Sequence, residues 1–100
     1  MEIAVKGKQL HVGSALRDHV HRRLSAGVGK YFDNAIEAQV VLSREARLFR
    51  CDISVHVGKG IQMQSRAELE EIYASFDAAA DRVEKQLRRH KRRLRDHHQG

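Results

Sequence analysis

Residues 36–67 read IEAQVVLSREARLFRCDISVHVGKGIQMQSRA. Ile36, Ala38, Val40 and Leu42 alternate with other residues, as do Phe49, Cys51, Ile53, Val55 and Val57, and then Ile61, Met63, Ser65 and Ala67. A period of two puts each set on one face of a strand, so the run predicts three strands. Val57-Gly58-Lys59-Gly60-Ile61 reads as a tight glycine turn, and residues 43–47 read as a longer connection, which makes the three an antiparallel meander. The other face carries Arg50, Asp52, Ser54, His56, Gln62, Gln64 and Arg66. A sheet polar on one face has its helices on the other.

Upstream, Glu2 to Lys6 alternates with Ile3 and Val5 on one side, a short strand ending at Gly7. Leu16, Val20, Leu24 and Val28 then recur every fourth residue, which predicts a helix over 14–31 with Ser14 as its N-cap. Asp33-Asn34 supplies the turn back to the sheet. The order is β-α-β-β-β-α, with the first β-α-β step a right-handed crossover that makes the first strand parallel to its neighbour. The expected fold is α+β, a four-stranded sheet with both helices packed on one face. Its strand-strand-strand-helix portion is similar to double-stranded RNA-binding domains, an analogy of fold that licenses no function.

Residues 70–98, EEIYASFDAAADRVEKQLRRHKRRLRDHH, form the last helix. Ile72, Phe76, Ala79, Ala80, Val83, Leu87 and Leu94 share one stripe at 100° per residue, with Lys85, Arg88 and Arg92 opposite and Arg89 and Arg95 on the flanks. Between Arg82 and Asp96 eight basic residues face two acids, a local charge of +6 that equals the charge of the whole chain. A neutral body with one basic rod is an anion-binding footprint. One or two cations at a helix C-terminus complement the macrodipole; eight exceed that need. Such a helix would span about 43 Å against about 20 Å for a typical strand, so its last two or three turns should project.

The 100 residues predict a single domain, 1–100, with 41% hydrophobic content, no proline and no low-complexity run. No apolar run could span a bilayer and residues 1–10 lack a signal-peptide core, so the expected location is cytoplasmic. Cys51, the one cysteine, reads as a buried thiol. No nucleophile with a base, paired-carboxylate site or metal-ligand spacing stands out, so neither an enzyme nor a cofactor or small-molecule substrate is expected. His19 and His21 diverge on a helix and His97-His98 close one, which gives no metal site. Gly58-Lys59-Gly60 lacks the following helix that a phosphate-cradling loop needs. Membrane docking by the basic helix is disfavoured by its alanine-rich stripe, which has no Trp.

Ser14-Ala15-Leu16-Arg17, Val20, Leu24 and Lys30-Tyr31-Phe32 resemble the first helix of the ribosome hibernation promoting factors, also called ribosome-associated inhibitor proteins. Glu71-Ile72-Tyr73-Ala74-Ser75-Phe76-Asp77 and Val83-Glu84-Lys85-Gln86-Leu87-Arg88 resemble their second, with Phe76 for the usual aliphatic and Val83 for the usual Leu. The resemblance covers residues 1 to about 95. It implies a non-enzymatic protein that binds the small ribosomal subunit and its rRNA in the mRNA and tRNA channel, inhibiting translation in stationary phase or stress. It carries the RNA-contact role to Arg82, Lys85, Arg88, Arg89 and Arg92, and in a second rank to Lys91, Arg93, Arg23 and Lys30. The competing reading is a general double-stranded RNA-binding module. Long-form members have a further C-terminal domain that pairs ribosomes; RRHKRRLRDHH resembles a long form just before its linker, and a native short form stands beside that reading. Either way, pairing would need a domain absent from this chain.

Overall fold

A computed structural model describes residues 1–98, and the side chains of residues 1–95. The elements are β1 (Glu2–Gly7), α1 (Ser14–Gly29), β2 (Glu37–Glu45), β3 (Leu48–Gly58), β4 (Ile61–Leu69) and α2 (Ile72–His98). The strands lie in the order β1-β2-β3-β4. The crossover through α1 brings β1 parallel to β2, and the two hairpins make the remaining pairs antiparallel.

Register is set by the alternating apolar residues. Ala38 faces Val55, Val40 faces Ile53 and Leu42 faces Cys51 across β2 and β3, all buried. Slipping the register by one residue would send every one of them to the polar face. Leu16, Val20, Leu24 and Val28 of α1 join Phe76, Ala79, Ala80, Val83 and Leu87 of α2 in the same buried cluster as these sheet residues. Both helices therefore cover one face, as expected. Cys51 is fully buried, and that burial, with Asp52 adding to it, pushes its thiol up to about 12. It is an inert core group rather than a nucleophile.

Several boundaries differ from the sequence reading. The long connection expected over 43–47 is a two-residue turn: Glu45 pairs with Leu48, and Ala46 takes a φ of 56°. A left-handed alanine has no composition cue, and the polar Ser43-Arg44-Glu45 masks the end of a strand that Arg44 helps hold by lying 5.2 Å from the Phe49 ring. The expected glycine turn does form, with Lys59 at φ 52° and Gly60 at φ 75°, the two left-handed residues a tight hairpin of this hand needs. Gly13, not Ser14, occupies the N-cap of α1, and no side chain caps it. The same helix stops at Gly29, with Lys30 and Phe32 still donating backwards to Ala26 and Val28.

Gly7 marks a close approach. A Cβ there would lie 3.0 Å from Val12 Cγ2 and closer still to the Leu10 carbonyl, which is backbone and cannot swing aside. Gly7→Ala is expected to destabilise the fold by about 1–3 kcal/mol in urea unfolding. Gly29→Ala, whose Cβ meets nothing within 4 Å, should instead stabilise it by up to about 1 kcal/mol. Equal effects would mean that chain entropy, not space, governs Gly7.

Candidate nucleic-acid interface

The stripe Phe76, Ala79, Ala80, Val83 and Leu87 fixes the rotation of α2, because all five side chains are buried. The opposite side must then face solvent, and Lys85, Arg88, Arg89 and Arg92 are all exposed there. Lys85 and Arg88 make no ion pair among the described residues. From Lys85 to Arg92 the row runs about 10 Å along the helix axis. Burial fades at His90 and Lys91, after which Arg92, Arg93, Leu94 and Arg95 are exposed. About two turns thus overrun the body, drawing the molecule out to 49 × 22 × 20 Å. The strands, at nine to eleven residues for β2 to β4, are longer than typical ones and shorten that overrun.

The charges on α2 are sorted along its length. Its upstream carboxylates turn toward α1, where Arg23 reaches Glu84 at 3.0 Å, Asp77 at 3.6 Å and also Asp81. His19 adds a 2.8 Å hydrogen bond to Asp77 while its ring lies against Tyr73 and Phe76. Burial alone would lower the Arg23 pKa, but its hydrogen bonds to Asp81 and Glu84 and their charges outweigh that and raise it. Three acids are thereby tied into the fold. Asp81 and Glu84 lie one turn before Lys85 and Arg88, yet both pair with Arg23, and among the described residues neither Lys85 nor Arg88 forms an ion pair.

Arg23, a candidate RNA contact by sequence, is accordingly enclosed by carboxylates and joins the helices. Arg23→Ala is expected to lower stability by about 1–3 kcal/mol, between an exposed and a buried pair, because Asp77, Asp81 and Glu84 would then repel one another. The ribosome affinity that the resemblance implies should change less than threefold in the folded fraction. A tenfold loss at unchanged stability would return Arg23 to the RNA-contact set.

The other candidates divide by what they touch. Arg82 donates to the Arg66 carbonyl, and Gln86 to that of Gln64 at 2.6 Å, so both help cover the open edge of β4. Lys91 donates to the Tyr31 carbonyl at 2.7 Å, with its Nζ 5.6 Å from the Phe32 ring centre. Lys30 is exposed and lies 5.7 Å from the Tyr31 ring, at the α1 end next to Lys91. Arg93 is exposed, as is Arg95, which the sequence reading placed on the flank but left out of the contact set. Arg82 and Lys91 thus have one nitrogen engaged with backbone, whereas Lys85 and Arg88 present their whole head groups. The contacts of Arg23, Arg82 and Lys91 depend on partners 16 to 61 residues away, which no local pattern signals.

Among the described residues no group of three His, Cys, Asp or Glu side chains is placed to hold a metal ion. The side chains of His97 and His98 lie outside the described residues. No described helix is long and apolar enough to cross a membrane.

Comparison with known proteins gives consistent matches. The family model described as Sigma 54 modulation protein / S30EA ribosomal protein matches residues 3–95. A ribosome hibernation promotion factor of Rhizobium meliloti (strain 1021) is 36% identical over the whole chain, which spans 53% of that protein. A ribosome hibernation promoting factor of Azotobacter vinelandii is 33% identical, again over the whole chain, which spans 92% of it. The crystal structure of the Thermus thermophilus Protein Y N-terminal domain superposes with a TM-score of 0.79 at 34% identity, covering 89% of this chain and 98% of that one. The chain is thus about half the length of the Rhizobium relative and nearly all of the Azotobacter one.

Proposed function

The chain belongs to the Sigma 54 modulation protein / S30EA ribosomal protein family, and from that premise we propose that it is a hibernation factor, acting without catalysis, that binds the small ribosomal subunit and inhibits translation. The observation that carries this reading is the exposed row Lys85, Arg88, Arg89 and Arg92 on a helix that overruns its own fold. Such a row can follow folded rRNA phosphates without reading sequence, and a projecting rod reaches into a groove that a flat basic patch cannot enter. Arg93 and Arg95 extend the row, and Lys30 and Lys91 broaden it toward α1. Arg82 contributes from the β4 side. The mRNA and tRNA channel of the small subunit is the site we assign to this shape. A partner of this kind implies a cytoplasmic protein, and residues 1–100 are read as one ribosome-binding domain.

The test is co-sedimentation with purified small subunits across a salt series, with excess tRNA and, separately, excess duplex RNA as competitors. Saturable binding that weakens steeply with salt, yields to tRNA and resists duplex is the expected result. Equal loss to duplex RNA would make the protein a general double-stranded RNA binder. Absence from the pellet at low salt would end the ribosome reading.

A further inference from the structure

At the point where α2 leaves the body, its inner face meets a groove. His90 and Leu94, one turn apart, form one wall; Val57, Lys59 and Ile61 at the β3–β4 hairpin form the other, with Phe32 and Asn34 completing a volume of about 350 Å3. Leu94 is 42% exposed, an aliphatic side chain among Lys91, Arg92, Arg93 and Arg95. Its exposure leaves little for it to do in the core. The Phe32 and His90 rings lie 5.9 Å apart at 33°, and His90 Nε2 is buried with no hydrogen-bond partner among the described residues. An imidazole nitrogen in that state costs stability unless something bonds it.

Cations stand on both flanks of the helix wall and at the hairpin tip, and Asp33, between Phe32 and Asn34, is the one acid next in sequence to a lining residue. Helical phase sets Lys91 and Arg95 to one side of His90 and Leu94, and Arg89 and Arg93 to the other, while Lys59 stands across at the hairpin tip. A complementary ligand has a flat, largely apolar body with negative charge before and after it. A nucleotide strand has that form at every residue, because each base sits between two phosphates. In an extended acidic peptide the side chains before and after a ring point to the opposite face, so their charges would lie away from the groove. Duplex bases are stacked and cannot enter, so the strand must be single.

We infer that this groove receives one unstacked base of single-stranded RNA, its ring against Leu94 and the Phe32–His90 pair, its edge within reach of Asn34, and its neighbouring phosphates held by Lys59 and by Arg93 or Arg95. The inference deepens the ribosome reading: it adds a base contact to a surface otherwise read as binding phosphates alone. Base-on-side-chain packing of this sort tolerates every base and contributes apart from the salt-dependent term.

The test uses the full chain with an end-labelled hexauridylate carrying one central 2-aminopurine, and the same strand with an abasic spacer at that position. The expected result is a saturable change in 2-aminopurine emission and about tenfold weaker binding of the abasic strand. Leu94→Ala, at an exposed position, should keep its urea midpoint, bind the intact strand about five- to tenfold more weakly, and leave the slope of log affinity against log salt unchanged. Equal binding of intact and abasic strands overturns the groove assignment, and so does an unaltered affinity in Leu94→Ala. If Leu94→Ala weakens subunit binding but the two strands bind alike, the groove holds a protein segment and the base assignment is wrong. Wild-type chain that fails to pellet with subunits counts against the ribosome reading and is separate from each of these results.

Discussion

Lys85→Glu combined with Arg88→Glu is expected to abolish co-sedimentation with small ribosomal subunits while leaving unfolding stability within about 1 kcal/mol. Both side chains are exposed and neither is paired among the described residues. On the stability side, Glu at 85 would face Asp81 one turn away and Glu at 88 would face Glu84, each a like-charge pair worth a few tenths of a kcal/mol. Lowering the basic charge of the helix relieves repulsion and offsets part of that. On the binding side, each phosphate neutralised contributes about −0.7 to −0.9 to the salt slope. Loss of two contacts should flatten the slope by about 1.4 to 1.8 units, and the repulsion of two new carboxylates lowers affinity further, by about a hundredfold or more in total at moderate salt. The neutral pair Lys85→Gln with Arg88→Gln should give the flatter slope with a smaller loss. A double reversal that unfolds would make the residues structural, and one that binds like wild type would move the interface elsewhere.

What the sequence made legible follows from the range of each signal. The strands at residues 36–67 and the apolar stripe of α2 are local periodicities, and burial follows them except at Ile36 and Leu94, which are exposed, and at Phe49, Ile61, Met63, Ser65 and Ile72, which are half-buried. The outward direction of Lys85 and Arg88 is equally legible, since fixing one face of a helix fixes the other. The turn at Ala46 was not legible, because its left-handed φ is imposed by two strands that pair up to Glu45 and Leu48. Arg23 shows the larger gap. Nothing within α1 signals that Asp77, Asp81 and Glu84, from 54 to 61 residues further on, will converge on it. A cation count alone therefore treats Arg23 and Arg88 alike, although one closes the helix pair and the other faces solvent. The groove beside Leu94 is hidden for the same reason, as its walls come from α2, the β3–β4 hairpin and the segment after α1.

Phe76→Ala should cost about 3–5 kcal/mol, the largest loss of stability expected from a single change here. Phe76 is among the largest fully buried side chains, and its ring sits edge-on to His19 at 5.5 Å. Truncation removes that contact and opens a cavity between the two helices and the sheet, a space that neighbours at near-crystalline density cannot close. A domain of this size has about 5–15 kcal/mol in all, and each kcal/mol lost lowers the melting temperature by about 4–8 °C, so a fall of some 12 °C or more is expected in calorimetry. Phe76→Leu, which keeps most of the volume, should cost less than about 1.5 kcal/mol. A loss as large for Leu as for Ala would mean that the edge-on contact with His19, not volume, is what the site requires. Because Phe76 lies on the face of α2 opposite the cations, the folded fraction of Phe76→Ala should keep its salt slope. Subunits at a hundred times the dissociation constant would return about 2.7 kcal/mol, so the same variant should melt distinctly higher when bound. A lowered slope in the folded fraction would mean instead that the cavity lets α2 rotate, turning Lys85 and Arg88 away from the surface they are set to meet.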